Sequence, residues 1–484
     1  MSQAKTLGAL KASGYRPKSI KEELRDNLIH KLKNKETVFE GVIGFEDTVI
    51  PDIERAILSR HNILMLGLRG QAKTRIARLL VHLLDEFIPV VTGSEINDDP
   101  LQPISRYARD LIAEKGDDTP IHWLHRDERY VEKLATPDVS VADLIGDVDP
   151  IKAATLKLPY SDERVLHFGL IPHSHRSIFV INELPDLQAR IQVSLFNILQ
   201  EGDIQIRGFK LRMPLDIQFI FTANPEDYTN RGSIITPLKD RIESQILTHY
   251  PKTIDIAKTI TKQEANLAAN QRQSVVIPDL LATLLEEISF AARASEYIDE
   301  KSGVSARLSI SGMENLASTA ERRMFINSEK STIARITDFW GVIPAITGKV
   351  ELVYEGEQEG PYQVAINIMN KTIKESFLKY FPNPEKVKRN ERDPYGTIRM
   401  WFSSGQTVDL LNDSSDKDYQ NKLNQVAGLE KLVNSIKVPK AEKYLFMELA
   451  LHGLAEFQIV SKEIVEQKLV FRDLLASMFD EDED

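Results

Sequence analysis

The segment from Gly41 to about Pro251 constrains the fold most. Short apolar runs, NILMLGL (62–68), FIPVVTG (87–93), SIFVINEL (177–184) and DIQFIFTAN (216–224), alternate there with amphipathic stretches such as KTRIARLLVHLLDEF and LQARIQVSLFNILQEG. Each run has the length of one buried strand and is too short for a core helix. Strands alternating with helices predict an α/β fold, a parallel sheet with crossover helices. Residues 97–134 are too polar for core strands and read as an insert or surface subdomain. Upstream, residues 1–38 read as a helical segment with Ile20, Leu24, Leu28 and Leu32 on one stripe.

The first run ends in GLRGQAKTR, from Gly67 to Arg75. A phosphate-cradling loop has the form Gly, four residues, Gly, Lys, then Ser or Thr, set between a strand and a helix. Gly67, Lys73 and Thr74 fit, and Ala72 stands where the second glycine is expected. Backbone N–H groups from Arg69, Gly70, Gln71, Ala72 and Arg75 at the helix start would face phosphates, and Lys73 would reach the β- and γ-phosphates. Thr74 would ligate Mg²⁺. Alanine at 72 adds one methyl and fits with little strain if that position is near helical geometry.

Four further elements suit the same chemistry. SIFVINEL ends in Asn182-Glu183, where a strand carrying two acidic residues would serve Mg²⁺ and water activation. Glu183 can orient or deprotonate the attacking water. Asn182 keeps an oxygen acceptor for the metal but not the charge. FIFTAN brings Asn224 to the carboxyl edge of the sheet, where ligands sit in such folds. TPLKDRIESQI offers Arg241 as an arginine finger, the cation that stabilises charge on a transferring phosphoryl group. GVSARLSISGMENL places Arg307 just before a helix. Alone, a surface salt bridge is the blander reading of Arg241, and a strand ending in polar residues at a turn is that of Asn182-Glu183.

The order and spacing of these elements resemble the AAA+ ATPases, and within them the magnesium chelatase ATPase subunit and MoxR-like branch. GLRGQAKT is similar to that family's G-x-R-G-x-G-K-[ST] loop, Arg69 included. LIGDVDPIKA (144–153) resembles its GxxDxxxA stretch, GDIQIRGFKLRMP its pre-sensor hairpin, LKDRI its LLDRF, and GVSAR its second arginine-bearing sensor. The resemblance covers about 38 to 335. It implies a P-loop ATPase core at 39–251, a helical lid at 252–335, ATP at subunit interfaces, a hexameric ring, and a partner protein carrying a von Willebrand A domain. Lys73, Thr74, Asn182, Glu183 and Asn224 would act within one subunit, Arg241 in the neighbour's site, and Arg307 from the lid. The implied cofactors are ATP and Mg²⁺, and the implied function is ATP turnover that remodels a partner or drives metal insertion. Ala72 and Asn182 depart from the pattern and point to slow hydrolysis, or to a nucleotide-gated scaffold. A transcription activator of the sigma-54 type would carry a GAFTGA loop, which this sequence lacks.

Residues 336–484 match no named pattern. GKVELVYEGEQEGPYQVAINIMNKTIKESFLKYFP reads as a hairpin followed by a helix, and the segment from 440 onward as helical before an acidic tail, DEDED. The whole C-terminal region is expected to be mostly helical. With no cysteine, disulfides, thiolate metal sites and thiol nucleophiles are excluded. A net charge of -11 argues against non-specific nucleic-acid binding. The mixed aromatic and basic residues Trp123, His125, Arg126, Arg129 and Tyr130 are expected to pack the insert. His167, His173 and His175 lack an acidic pair to complete a zinc site, and Asp98-Asp99 reads as a solvated turn. No apolar run approaches the ~18 residues of a membrane span, the start lacks a signal-peptide core, and the expected location is the cytoplasm.

Overall fold

A computed structural model of the chain describes residues 4–159, 162–205, 212–225, 232–386, 393–465 and 468–474. The chain divides into two compact units, Met1–Tyr250 and Pro251–Asp484. The tip of the expected pre-sensor hairpin (206–211), residues 226–231 and the acidic tail (480–484) lie outside the described residues.

The first unit is built on a parallel sheet of β1 (Ile63–Leu66), β2 (Tyr130–Leu134), β3 (Ser177–Asn182), β4 (Ile217–Ala223) and β5 (Ser244–Leu247). Its order is β5-β1-β4-β3-β2. β1 therefore lies inside the sheet, between β4 and β5, with Leu66 opposite Ala223 and Leu247. The central strands β1, β3 and β4 are buried along their whole length, as strands covered on both faces must be.

Side chains alternate between the faces. Ile63, Met65, Ile178, Val180 and Ile220 join one cluster with helix α1 (Ile20–Asn34), helix Val49–Leu58 and Ile76 and Ala77 of helix α2 (Lys73–Leu79). Leu64, Leu66, Phe179, Ile181, Phe219 and Phe221 face the other way, against Ile191, Leu195 and Leu238. α1 starts at a capping box: Ser19 Oγ accepts the Glu22 N–H at 3.3 Å and Glu22 Oε2 accepts the Ser19 N–H at 3.2 Å. Of its expected stripe, Ile20, Leu24 and Leu28 are buried, while Leu32 is exposed.

Two strand expectations change places. The run at 87–93 does not enter the main sheet. Phe87–Val91 pairs antiparallel with Ile121–His125, and its Ile88 and Val90 form a small cluster with Leu124. The edge strand beside β3 is instead β2, from the segment read as an insert, in parallel register with β3 from Tyr130↔Ile178 to Leu134↔Asn182. An edge strand needs only part of its surface covered, so YVEKL suffices there, half-buried along most of its length. Proline at 89 is tolerated in a two-stranded pair, where a missing N–H need not break a ladder.

The second unit has one continuous core, from Ala265 to Phe471. It draws on helices Asp279–Arg293, Arg307–Ile326, Pro361–Tyr380 and Lys443–Glu456. Buried Arg323 donates to Asp338 at 2.9 Å and to Asp416, also at 2.9 Å, and so ties the helix at 307–326 to the segment around 416. The hairpin expected near 349–362 is not formed: Leu352 makes one isolated bridge with Ile298, and helix Tyr354–Glu359 follows. The C-terminal stretch is not all helix. Ser461–Val465 and Lys468–Arg472 pair antiparallel, and Val408–Leu411 joins them. Among the described residues no helix is long and apolar enough to cross a membrane.

Candidate functional site

The carboxyl ends of β1, β3 and β4 hold nearly all the residues singled out in the first unit. The loop leaves β1 at Gly67, whose N–H donates to Ala223 O at 3.1 Å, and the chain end after β5 closes on it from the other side. Thr248 Oγ1 donates to Gln71 Oε1 at 2.7 Å, and Tyr250 Oη donates to Arg69 O at 3.0 Å. A Cβ at Gly67 would fall 1.9 Å from Thr248 Oγ1, so any larger residue would have to displace that side chain and its bond to Gln71. Gly70 turns the loop at φ +75°.

Ala72 is not near helical geometry. It sits at φ 57°, ψ 13°, in the left-handed region, immediately before the first residue of α2. The condition under which alanine fits with little strain is therefore not met: an L-residue there costs roughly 1–2 kcal/mol. The loop keeps the backbone path that glycine would take and bears the strain.

Lys73 is buried, with 7% of its surface exposed. Its ammonium donates to Gly67 O, to Leu68 O at 3.0 Å and to Asn224 Oδ1 at 2.7 Å. Asn224 Nδ2 then donates to Glu183 Oε2 at 3.0 Å. The orientation of this amide is forced, because an ammonium only donates and a carboxylate only accepts. Lys73, Asn224 and Glu183 thus form one chain across the ends of three strands. Glu183 takes a left-handed backbone, φ 55°, at the turn that ends β3, and its N–H donates to Thr222 Oγ1 at 3.2 Å. Such outliers persist where surrounding contacts over-determine them.

Asn182 is buried beside this chain. Its Oδ1 accepts from Thr222 Oγ1 at 3.0 Å, and its Nδ2 donates to Glu132 Oε1 at 2.6 Å. Glu132, on β2, escaped the sequence reading because its strand was assigned to a polar insert. YVEKL offers no alternation that would have marked the strand: Tyr130, Glu132 and Leu134 fall on one face and Val131 and Lys133 on the other. Asn182, Thr222 and Glu132 share the sheet face on which α2 packs, as the positions of Ile178, Val180, Ile220 and Tyr130 require.

The donor set fits a nucleoside triphosphate with Mg²⁺. A buried ammonium and a glycine-turned loop at a helix start suit a polyanion. The Thr74 hydroxyl, the Asn182 amide oxygen and the Glu183 carboxylate are hard oxygen donors of the kind Mg²⁺ takes, and this ion takes few protein ligands when phosphates supply the rest.

Arg241 is not part of this hydrogen-bonded chain. Arg241 caps helix Thr236–Asp240 and is half-buried. It donates to Gln200 Oε1 at 3.0 Å and Pro237 O at 2.7 Å, and stacks 4.7 Å from the centroid of Phe196. None of these partners belongs to the Lys73 chain. Arg307 is exposed at the first position of its helix in the second unit.

Other sequence features resolve into structure. Asp98 is fully buried and accepts from Ser94 Oγ, Ser105 Oγ and the N–H groups of Ile104 and Ser105. Asp99 is buried with Tyr15 Oη at 2.7 Å and Arg176 at 3.1 Å. The solvated turn expected there is thus a buried loop organiser. His175 accepts the Asp216 N–H at 3.0 Å, whereas His173 bonds to Glu95 O. Among the described residues no three histidines or carboxylates gather to hold a metal. Trp123 donates to Ala4 O at 2.8 Å, and Arg129 is buried against Glu23, so the aromatic and basic mixture packs the unit.

No family model matches the sequence. Among solved structures the chain is similar to NtrX from Brucella abortus, at 15% identity over 60% of this chain and 55% of that one, with a TM-score of 0.34. It therefore spans about half the length of that protein. It is also similar to a protein from Cytophaga hutchinsonii assigned as an ATPase, at 18% identity over 75% of this chain and 98% of that one, TM-score 0.29. A third likeness is to a chain of the complex between BchI and BchD of magnesium chelatase, at 17% identity over 66% and 98%, TM-score 0.32.

Proposed function

We propose that the protein is an AAA+ ATPase of the magnesium chelatase and MoxR-like type that binds ATP with Mg²⁺ and hydrolyses it. The observation that carries this reading is the chain Lys73–Asn224–Glu183, which sets an ammonium, an amide and a carboxylate within hydrogen-bond reach of one another beside a glycine-turned loop. Lys73 and the loop N–H groups hold the phosphates, and Thr74 with Asn182 serves the metal, which supplies charge neutralisation at the phosphates. Glu183 accepts the proton of the attacking water, and Asn224 holds that carboxylate in place. Arg241, which shares no partner with the Lys73 chain, is assigned to a neighbouring subunit's site in a hexameric ring. Arg307 and a partner with a von Willebrand A domain are assigned by the sequence resemblance alone, as is the remodelling or metal-insertion work that turnover would drive.

A second reading, a nucleotide-gated scaffold with little hydrolysis, is favoured by Ala72 in left-handed space and by the amide at 182. The two readings separate on one variant. Loss of a positioned base typically costs about 10²–10⁴ in rate. Glu183→Gln is therefore expected to lose Mg²⁺-dependent ATP hydrolysis by that factor while keeping nucleotide affinity. A wild type that binds ATP tightly but turns over at the rate of Glu183→Gln establishes the scaffold instead.

A further inference from the structure

Position 182 raises a question that the nucleotide reading leaves open: where the negative charge beside the metal has gone. The geometry answers it. The amide of Asn182 cannot flip, because Glu132 accepts from its Nδ2 at 2.6 Å and a carboxylate cannot donate. Its Oδ1 is thereby turned to Thr222, whose hydroxyl donates to it at 3.0 Å and accepts the Glu183 N–H at 3.2 Å. Glu132 is itself held by Tyr130 Oη at 3.1 Å and Arg78 Nε at 3.0 Å, both donating to Oε2. One network therefore runs from the edge strand β2, through Asn182, to the backbone of Glu183.

The two positions are matched. An aspartate at 182 would set a carboxylate oxygen 2.6 Å from that of Glu132, where like charges repel and one of them must take up a proton. An asparagine there receives the charge of its neighbour through a charge-assisted hydrogen bond, which is stronger than a neutral one and increases the electron density on the amide oxygen.

We propose that Glu132 is the positioning residue for the Mg²⁺ side of the nucleotide site: the pair Glu132–Asn182 does the work of one carboxylate, with the charge moved one strand outward. This rests on the nucleotide reading above. Glu132 acts through Asn182, fixing which end of the amide faces the metal and enriching that end.

The test is a charge swap in the full chain, with Mn²⁺ as the probe ion. Mn²⁺ affinity of the ADP complex is read by electron paramagnetic resonance, and ADP affinity in EDTA by calorimetry. Removing the group that orients a metal's ligand typically costs about 10–100-fold in metal affinity. Glu132→Gln and Asn182→Asp are each expected to weaken Mn²⁺ binding at least ~10-fold, with metal-free ADP affinity within about 2-fold of wild type. The double variant Glu132→Gln/Asn182→Asp, which exchanges acid and amide, is expected to recover Mn²⁺ affinity to within about 3-fold. Lys133→Gln changes a charge on the same strand but on its other face, away from Glu132 and Asn182, and is expected to leave Mn²⁺ affinity unchanged. The inference is overturned if Asn182→Asp alone binds Mn²⁺ as tightly as wild type, if the swap shows the sum of both losses, or if Lys133→Gln reproduces Glu132→Gln. Should Asn182→Asp fail to fold, Glu132→Gln against Lys133→Gln decides. A wild type that binds no ADP in EDTA overturns the nucleotide reading itself, which is a separate result.

Discussion

Replacing Glu23 by glutamine is expected to destabilise the first unit by about 3–5 kcal/mol, the usual cost of leaving one partner of a buried ion pair alone. Arg129 is 1% exposed and Glu23 5%. The pair is bidentate, with both guanidinium nitrogens at 2.7 Å from the two carboxylate oxygens, and Glu23 also accepts the Asp85 N–H at 2.6 Å. Arg129 Nε donates to Arg176 O, so the guanidinium is committed to this site and cannot turn to water. Each kcal/mol moves the midpoint of a unit this size by about 2–4 °C, so the variant should melt about 6–20 °C lower. Trp123 is the tryptophan of the first unit, and Trp340 and Trp401 belong to the second. In a Trp340→Phe/Trp401→Phe background, Trp123 fluorescence in urea reads the first unit's unfolding alone. The double variant Glu23→Leu/Arg129→Met should recover most of the loss, because an apolar pair does not strand a charge. Arg129 immediately precedes β2, so the pair also anchors the strand that carries Glu132. A loss below about 1 kcal/mol for Glu23→Gln would refute the assignment of this pair as buried and committed.

Ala72→Gly is expected to change stability by no more than about 0.5 kcal/mol, relief of strain offsetting the added chain entropy, while Ala72→Val lowers it by about 1–2 kcal/mol. Equal urea midpoints for the two variants would refute the left-handed geometry. Asp216 offers a pH test. Burial raises its carboxyl from 3.8 to about 6, against the opposing Ile20 N–H bond and Arg176. The fold thus favours the neutral acid, a contribution present below pH 4 and lost as pH rises through 6. Relative to Asp216→Asn, the wild type should gain up to about 3 kcal/mol as pH falls from 6.5 to 4, and a pH-independent difference contradicts this. His175 runs the other way: burial, with Arg176 adding to it, lowers its imidazole from 6.5 to about 4. Its contribution is present above pH 6.5 and is lost as pH falls through 4, so its variants should show the opposite slope.

The sequence disclosed the strands that are apolar on both faces and hid β2, which is not. β1, β3 and β4 announce themselves because burial on two sides demands continuous hydrophobic runs. β2 needs cover on part of its surface only, so Glu132 and Lys133 could occupy it and a more apolar run at 87–91 was placed in the sheet instead. The loop's residue types were legible, but the backbone angle of Ala72 was not, since nothing local in the sequence distinguishes a strained alanine from a helical one. Asn182 read as a loss of charge because its partner lies 50 residues earlier in the chain, and a parallel register across strands leaves no local pattern. In the second unit, the burial of Arg323 depends on Asp338 and Asp416, contacts that no periodicity encodes.

The measurement that bears most directly on the account is calorimetric titration of ATP with Mg²⁺ into the full chain, beside Lys73→Ala. Losing charge-assisted contacts worth about 1.5–3 kcal/mol should weaken binding about 10–150-fold in the variant, against clear saturation in the wild type. No heat of binding in the wild type, or the same affinity in Lys73→Ala, would contradict the assignment of this loop as the seat of the triphosphate.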